Sequence, residues 1–270
     1  MASFSVVNNI TSAYAQTNLQ GTQLGLQKAL SRLSSGYRIN SAGDDAAGLA
    51  VANSYRNATA IISQGIRNAN DGLSDLQIKD GALSNISTLL DRLATLATQA
   101  ASGKTDLDLD ALNNEFDKVK TEITREAAVA GLDNTGGVGF SVFITNTATS
   151  TDGIVSGTIG EVSLSELGIN ASFISSQDDA MTAVAAVADA VKSLGTVQSD
   201  VGQAQNNLQF AISLAQSQQV NTKAAESRIR DANVAEEAAN MTRFNILTQS
   251  GVAALAQANQ SSSSVLALLR

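Results

Sequence analysis

Proline is absent from all 270 residues, and no other feature narrows the fold so far. Proline is the residue that most often breaks a helix, so a chain without it can carry apolar stripes of helical spacing over long distances. Such stripes are present. Val6, Ile10, Ala13 and Thr17 begin one, and Leu19, Leu26, Leu30 and Leu33 continue it at spacings of seven, four and three. Ile62, Ile66, Ala69, Leu73 and Leu76 alternate four and three. Leu83, Ile86, Leu90, Leu93, Ala97 and Ala100 resume beyond Asp80, where the rhythm places a carboxylate on the seam and a local slip is expected. Gly103 and the run KTDLDLD end that helix. Leu112, Phe116, Val119, Ile123, Ala127 and Ala130 mark the next, with Gly131 as its C-terminal cap. Ser176 with Asp179 caps a further helix, whose seam reads Met181, Val184, Ala188, Val191, Leu194, Val201, Leu208, Ala211 and Ala215. The last stripe is Met241, Phe244, Leu247, Gly251, Leu255 and Ala258, followed by four serines and the apolar group Val265, Leu266, Leu268 and Leu269.

Residues 134–170 differ. Val138, Phe140, Val142 and Ile144 alternate with Gly139, Ser141, Phe143 and Thr145, a Thr-rich turn follows, and a second run of strand type spans 154–162. The expected fold is therefore mainly α: an antiparallel long-helix, coiled-coil rod formed by the N- and C-terminal segments, with a small central β-hairpin insert. Three parts are expected: an inner terminal-helix domain (1–41 and 228–270), a helical-bundle domain (42–133 and 171–227), and the insert of that domain (134–170). Aromatic residues make up only 4% of the chain and Trp is absent, which suits helix seams filled by Ala, Leu, Val and Ile.

Charge divides the chain differently. Residues 1–27 and 244–269 carry none, although the chain as a whole has a net charge of −8. Neutral ends rich in Ala, Gln, Asn and Ser bury too little apolar surface to fold alone, so they need each other and neighbouring copies, where a charge-free interior leaves no charge unpaired. Between the first neutral end and the charged body lies a joint, residues 33–53 (LSSGYRINSAGDDAAGLAVAN). There Ser34, Ser35 and Gly36 interrupt the helix, and Ser41 with Asp44 has the spacing of a capping box that opens the next one.

Composition excludes several functions. Without Cys or His there is no thiol, disulfide, thiolate metal site or Ser–His triad. Asp106, Asp108 and Asp110 have the first three spacings of a calcium loop, but Ala111 replaces its glycine and Asp117 its bidentate glutamate, so a loop-and-cap role is expected. Asp44 and Asp45 resemble a catalytic carboxylate pair, yet negative charge is also favoured in the first turn of a helix, where the spacing puts them. No catalytic, cofactor-binding or metal residue is assigned. The acidic balance argues against nucleic acid and anionic membranes. The N-terminus lacks the basic and apolar regions of a Sec signal, and no run of about 18 apolar residues suggests a membrane span.

The joint, the run RNANDG at 67–72, and the tail SRIRDANVAEEAANMTRFNILTQSGVAALAQANQ…VLALLR from Ser227 together resemble bacterial flagellin, in a short form without a large variable outer domain. The resemblance implies a structural protein that self-polymerises into the flagellar filament and serves swimming motility; an alternative is a flagellin-like secreted coiled-coil adhesin or cell-surface receptor. It also implies an extracellular location reached without a cleaved Sec signal. The implied partners are further copies, the flagellar cap and hook-filament junction proteins, an export chaperone and the flagellar type III export apparatus. Carried over to this sequence, the assembly interface comprises Leu19, Leu26, Leu30, Leu33, Arg38, Asp44, Asp45 and Arg228, then Met241, Phe244, Leu247, Leu255, Val265, Leu266, Leu268, Leu269 and Arg270. Residues 33–41 and 228–237 would be connecting spokes. Flagellins seen by an innate-immune receptor carry a segment similar to LQRVREL. Here 90–96 reads LDRLATL, so Arg92 and Leu96 match while two charges are lost, which argues against recognition.

Overall fold

The computed structural model of the chain describes residues 9–102, 108–134, 136–144 and 153–268. Seven elements follow in order: α1 (Ile10–Ser35), α2 (Ala46–Ala101), α3 (Leu109–Val129), β1 (Val138–Phe143), β2 (Ile154–Ile159), α4 (Gln177–Arg230) and α5 (Val234–Leu268). The architecture is mainly α with one antiparallel two-stranded hairpin, as expected from the sequence. The chain divides into two compact units, 1–57 with 221–270 and 58–220.

The second unit holds the main core. Its α2 seam runs Ile62, Gly65, Ala69, Gly72, Leu76, Lys79, Leu83, Ile86, Leu90, Leu93, Ala97 and Ala100, with strict alternation of three and four and no slip. The expected phase through Ile66, Leu73 and Asp80 is thus corrected by one position, and Asp80 lies exposed. The reason is closeness of approach. A methyl on Gly65 would lie 1.9 Å from the Ile144 carbonyl oxygen, and one on Gly72 would lie 2.8 Å from Val142 Cγ2. Only a residue without a side chain lets the strand backbone settle on the helix here. Seven residues further on, Lys79 fills the seam with its aliphatic stem, and its ammonium donates to Asp75 one turn back.

Helix α4 runs antiparallel to α2: Leu208 Cδ1 is 3.6 Å from the methyl position of Gly72, and Gln177 Nε2 donates to the Ala101 carbonyl at 3.2 Å. Its buried face is Ala180, Ala183, Val187, Ala190, Leu194, Val197, Val201, Ala204, Leu208, Ile212 and Ala215. In the first half this again differs by one position from the expected seam. Met181 and Val191 are exposed, because the small neighbours Ala180 and Ala190 allow tighter packing.

Helix α3 begins where Asp108 accepts from the Ala111 N–H (3.0 Å), the capping role expected of that aspartate; Asp106 lies outside the described residues. It ends at Gly131 (φ +66), where Leu132 N–H donates to Ala127 O and Gly131 N–H to Ala128 O, as a Schellman motif requires. Ser176 caps α4 through the Asp179 N–H, as expected. The strands pair Val138↔Ile159 through Phe143↔Ile154, with alternate residues turned inward.

In the first unit α1 and α5 pair in antiparallel register. Leu19 meets Gly251, Gly25 meets Phe244, and Arg32 meets Glu237, while Asn9 Nδ2 donates to Ala258 O at the far end. Each glycine is a slot for the large side chain opposite.

Candidate assembly surfaces

The joint is held by crossed backbone bonds. Gly36, left-handed at φ +74, closes α1 by donating to Arg32 O, while its own carbonyl accepts from Ala232 N–H. Arg38 N–H donates to Arg230 O at 2.6 Å, its guanidinium donates to Ile229 O, and Tyr37 bridges to Asp231. The Arg230 guanidinium lies over the Tyr37 ring, 4.2 Å from its centroid. Residues 36–38 and 229–232, almost 200 positions apart in sequence, therefore form one short ladder. Arg32 and Glu237 lock it from the side at 3.0 Å, with Glu237 buried. Each also stands at the end of its own helix that favours its charge: the cation in the last turn of α1, the anion in the first turn of α5. Sequence reading had placed neither in this pairing, although those end positions are the signal that could have found them.

Ser41 and Asp44 form only half of the expected capping box, and one turn ahead of the helix: Asp44 accepts from Ser41, but the Asp44 N–H donates to the Ser41 backbone carbonyl and not to its hydroxyl. The Asp44 carboxylate accepts from the Ser41 and Asn40 N–H groups at 3.0 and 3.2 Å. Those two donors, Ser41 first, hold its carboxyl below the usual aspartate range. Asp45 is the true cap of α2, accepting from the Gly48 N–H at 2.9 Å. Neither carboxylate sits inside the first turn, which corrects that expectation.

The remaining candidates divide by face. Leu19, Leu26 and Leu33 on α1, and Met241, Phe244 and Leu255 on α5, are half-buried, whereas Leu30 (56%) and Leu247 (45%) are exposed, Leu247 beside Tyr14 and Leu19 in a groove between the two helices. Arg228 is exposed. Val265, Leu266 and Leu268 continue the backbone of α5; Leu269 and Arg270 lie outside the described residues. Among the described residues Ala29 is the only buried one in α1. Beside its inner face a second stripe at three/four spacing, Ile10, Tyr14, Thr17, Gly21 and Leu24, is exposed throughout; Tyr14 is 70% and Leu24 61% open, and Tyr14 borders the groove between the two helices. On α5, Ile246 and Val252 are likewise more than half exposed.

Of the two receptor-type residues, Leu96 is 1% exposed in the core, out of reach of any partner, and Arg92 is paired with Glu115 of α3. No cluster of three metal-ligating side chains occurs among the described residues. One stretch of α4 is long and apolar enough to cross a membrane, with mean hydropathy 1.3. A third of that stretch is buried, and its length and composition depart from the sequence expectation that no such stretch exists.

Comparison with known proteins identifies the family. Residues 6–132 match the profile of the bacterial flagellin N-terminal helical region and residues 184–269 that of the C-terminal helical region. The chain is 37% identical to a flagellin of Halalkalibacterium halodurans, with 90% of this chain and 92% of that one covered. It is 34% identical to the flagellar filament 33 kDa core protein of Treponema phagedenis, over 97% and 99% of the two chains. The crystal structure of Bacillus cereus flagellin is similar at a TM-score of 0.48 and 26% identity, covering 59% of this chain and 94% of that chain. The family match over nearly the whole chain leads to one conclusion: the chain belongs to the bacterial flagellin family and is a self-polymerising structural subunit of the flagellar filament.

Proposed function

We propose that filament contacts run through the α1–α5 pair, using the assembly residues named above from Leu19 to Arg270 together with the exposed stripe Ile10, Tyr14 and Leu24. One observation carries this reading. A helix with no charge from Ile10 to Gln27 exposes a second apolar stripe beside the face it already uses, and a neighbouring subunit would cover it. The inner domain of 1–41 and 228–270, the bundle of 42–133 and 171–227, and the insert of 134–170 then describe layers of the filament. The subunit leaves the cell through the flagellar type III apparatus without a cleaved signal, escorted by an export chaperone, and meets cap and hook-filament junction proteins at the filament ends. It performs no catalysis. The buried position of Leu96 and the two lost charges nearby support a subunit that escapes the innate-immune receptor.

Tyr14→Glu with Leu24→Glu tests the interface, since both side chains are exposed in the monomer and the variant keeps its fold. Seeded polymerisation followed by light scattering should be abolished. Growth at the parental rate would overturn the assignment. The adhesin alternative predicts no seeded growth by the parent either.

A further inference from the structure

Charge is distributed unevenly over the second unit. The outer side of α3 carries Asp110, Glu115, Lys118, Glu122 and Arg125, and α2 presents Arg67, Asp71, Asp80 and Asp91. Two places stand apart. Neither strand of the hairpin contains a charged residue, and α4 has none from Val201 to Val220. That part of α4 reads Gln, Asn and Ser interspersed with apolar residues, the same chemistry as the neutral chain ends.

Each neutral place also exposes large apolar side chains. On α4, Phe210 is 75% and Leu214 58% exposed, four residues apart and so on one face. On the hairpin, Phe143 (42%) and Ile154 (36%) are direct partners across the two strands, both on the outward side. The two patches lie at one height along α2. At Gly72 the inward Val142 of β1 and Leu208 of α4 converge on α2. Phe143 follows Val142 and turns outward from the strand. Phe210 follows Leu208 by two residues, about 200° around the helix, and turns outward from α4.

Resting on the reading of the chain as a filament subunit, we infer that the second unit carries its own subunit contact: the Phe210–Leu214 face of α4 in one copy receives the Phe143–Ile154 pair of the hairpin in another copy. Two unlike patches give a heterologous contact, the kind that generates an open helical array when its rotation does not close a ring. The missing charge fits burial, because a charged face would lose its hydration there without a guaranteed partner. The amides of Gln203, Asn206 and Asn207 flanking the patch can keep hydrogen bonds through bridging waters at the rim.

The absence of cysteine allows a test without background. Filaments are grown from an equimolar mixture of Phe210→Cys and Phe143→Cys subunits, then treated with a short bifunctional maleimide. Cross-linked dimers are expected in filaments and not in the monomer mixture. A mixture of Asp189→Cys, on an exposed charged position, with Phe143→Cys should give none. Well-formed filaments without the first dimer, or with as much of the control dimer, would overturn the contact. If a folded Phe210→Cys subunit fails to grow while Asp189→Cys grows normally, the side chain itself is required and the contact stands. As a second arm, Phe210→Lys should raise the critical concentration about tenfold or more, and Phe143→Asp in the same chain should restore part of it; a parental critical concentration in Phe210→Lys would overturn the proposal. Failure of the parent to polymerise would sink the filament reading instead.

Discussion

Single residues make sharply different demands. Gly65 faces a backbone carbonyl that cannot move aside, so Gly65→Ala should destabilise that unit by about 1–3 kcal/mol despite the better helix propensity of alanine. Gly251 faces only the flexible end of Leu19, 3.1 Å from where a methyl would sit. There the propensity gain of about 1 kcal/mol offsets the crowding, and Gly251→Ala should be close to neutral by thermal melting. Lys79 and Asp75 give a second contrast. Removing Lys79 as Lys79→Leu leaves Asp75 largely in water (59% exposed), and should cost nothing or stabilise. Asp75→Ala strands a buried ammonium and should cost about 1–3 kcal/mol. Equal effects of the two in denaturant titrations would refute the asymmetry. Asp44 adds a pH dependence. Its carboxyl titrates below the ordinary value of 3.8, so the stabilisation it gives the joint is complete above that value and disappears as pH falls through the lower, folded one. The parent should therefore lose its stability advantage over Asp44→Ala only below about pH 4, and a gap that begins to close at higher pH, or that widens as pH falls below 4, would contradict this.

At the scale of elements, the α1–α5 pair depends on mutual contact more than on helix propensity. Helix α1 buries one residue and lacks acidic residues in its first turn, so alone it is marginal even at 26 residues. A chain lacking 244–270 should lose helical circular dichroism beyond the deleted residues, by roughly the contribution of α1, while the second unit keeps its melting transition. Loss of only the deleted residues' signal would show that α1 is stable by itself. Much of this level was legible in the sequence. The absence of proline, the serine and aspartate caps and Gly36, Gly131 foretold where helices run and stop, and strict alternation from Val138 to Ile144 foretold the hairpin. Parts of two seams, Ile66, Leu73 and Asp80 in α2 and the first half of α4, were misphased by one position for one physical reason, while the runs from Leu83 to Ala100 and from Leu194 to Ala215 included the expected buried residues. Periodicity was read from the largest apolar residues, but close packing of strand on helix and helix on helix selected Gly65, Gly72, Ala180 and Ala190 instead. The joint was legible as a break, whereas its ladder, built from residues far apart in the chain, leaves no local trace.

For the whole molecule, the two units differ so much in burial that they should not unfold together. In the second unit one continuous core links α2, α3, α4, the hairpin and the connection through Ile169 and Ile174. In the first, the buried apolar residues among those described are Ala29, Ile39 and Ala52. A single two-state transition is then not expected of the monomer. Denaturant should first release the amides of α1 and α5, and only at higher concentration those of the core. In the filament every neighbour binds the folded form alone, which raises the stability of the first unit by mass action. Net charge acts on the same equilibrium. Subunits at −8 repel one another, and raising ionic strength from about 0.01 to 0.15 M shortens the screening length from about 30 to 8 Å. Neutral contact faces lose nothing by this screening, so salt should speed growth and lower the critical concentration. Hydrogen exchange on monomer and filament at both ionic strengths checks the whole scheme. Amides of α1 and α5 should exchange within the early phase in the monomer and become as protected as those of α2 in the filament. Equal protection of both units in the monomer, or filaments that dissolve as salt rises over this range, would contradict it.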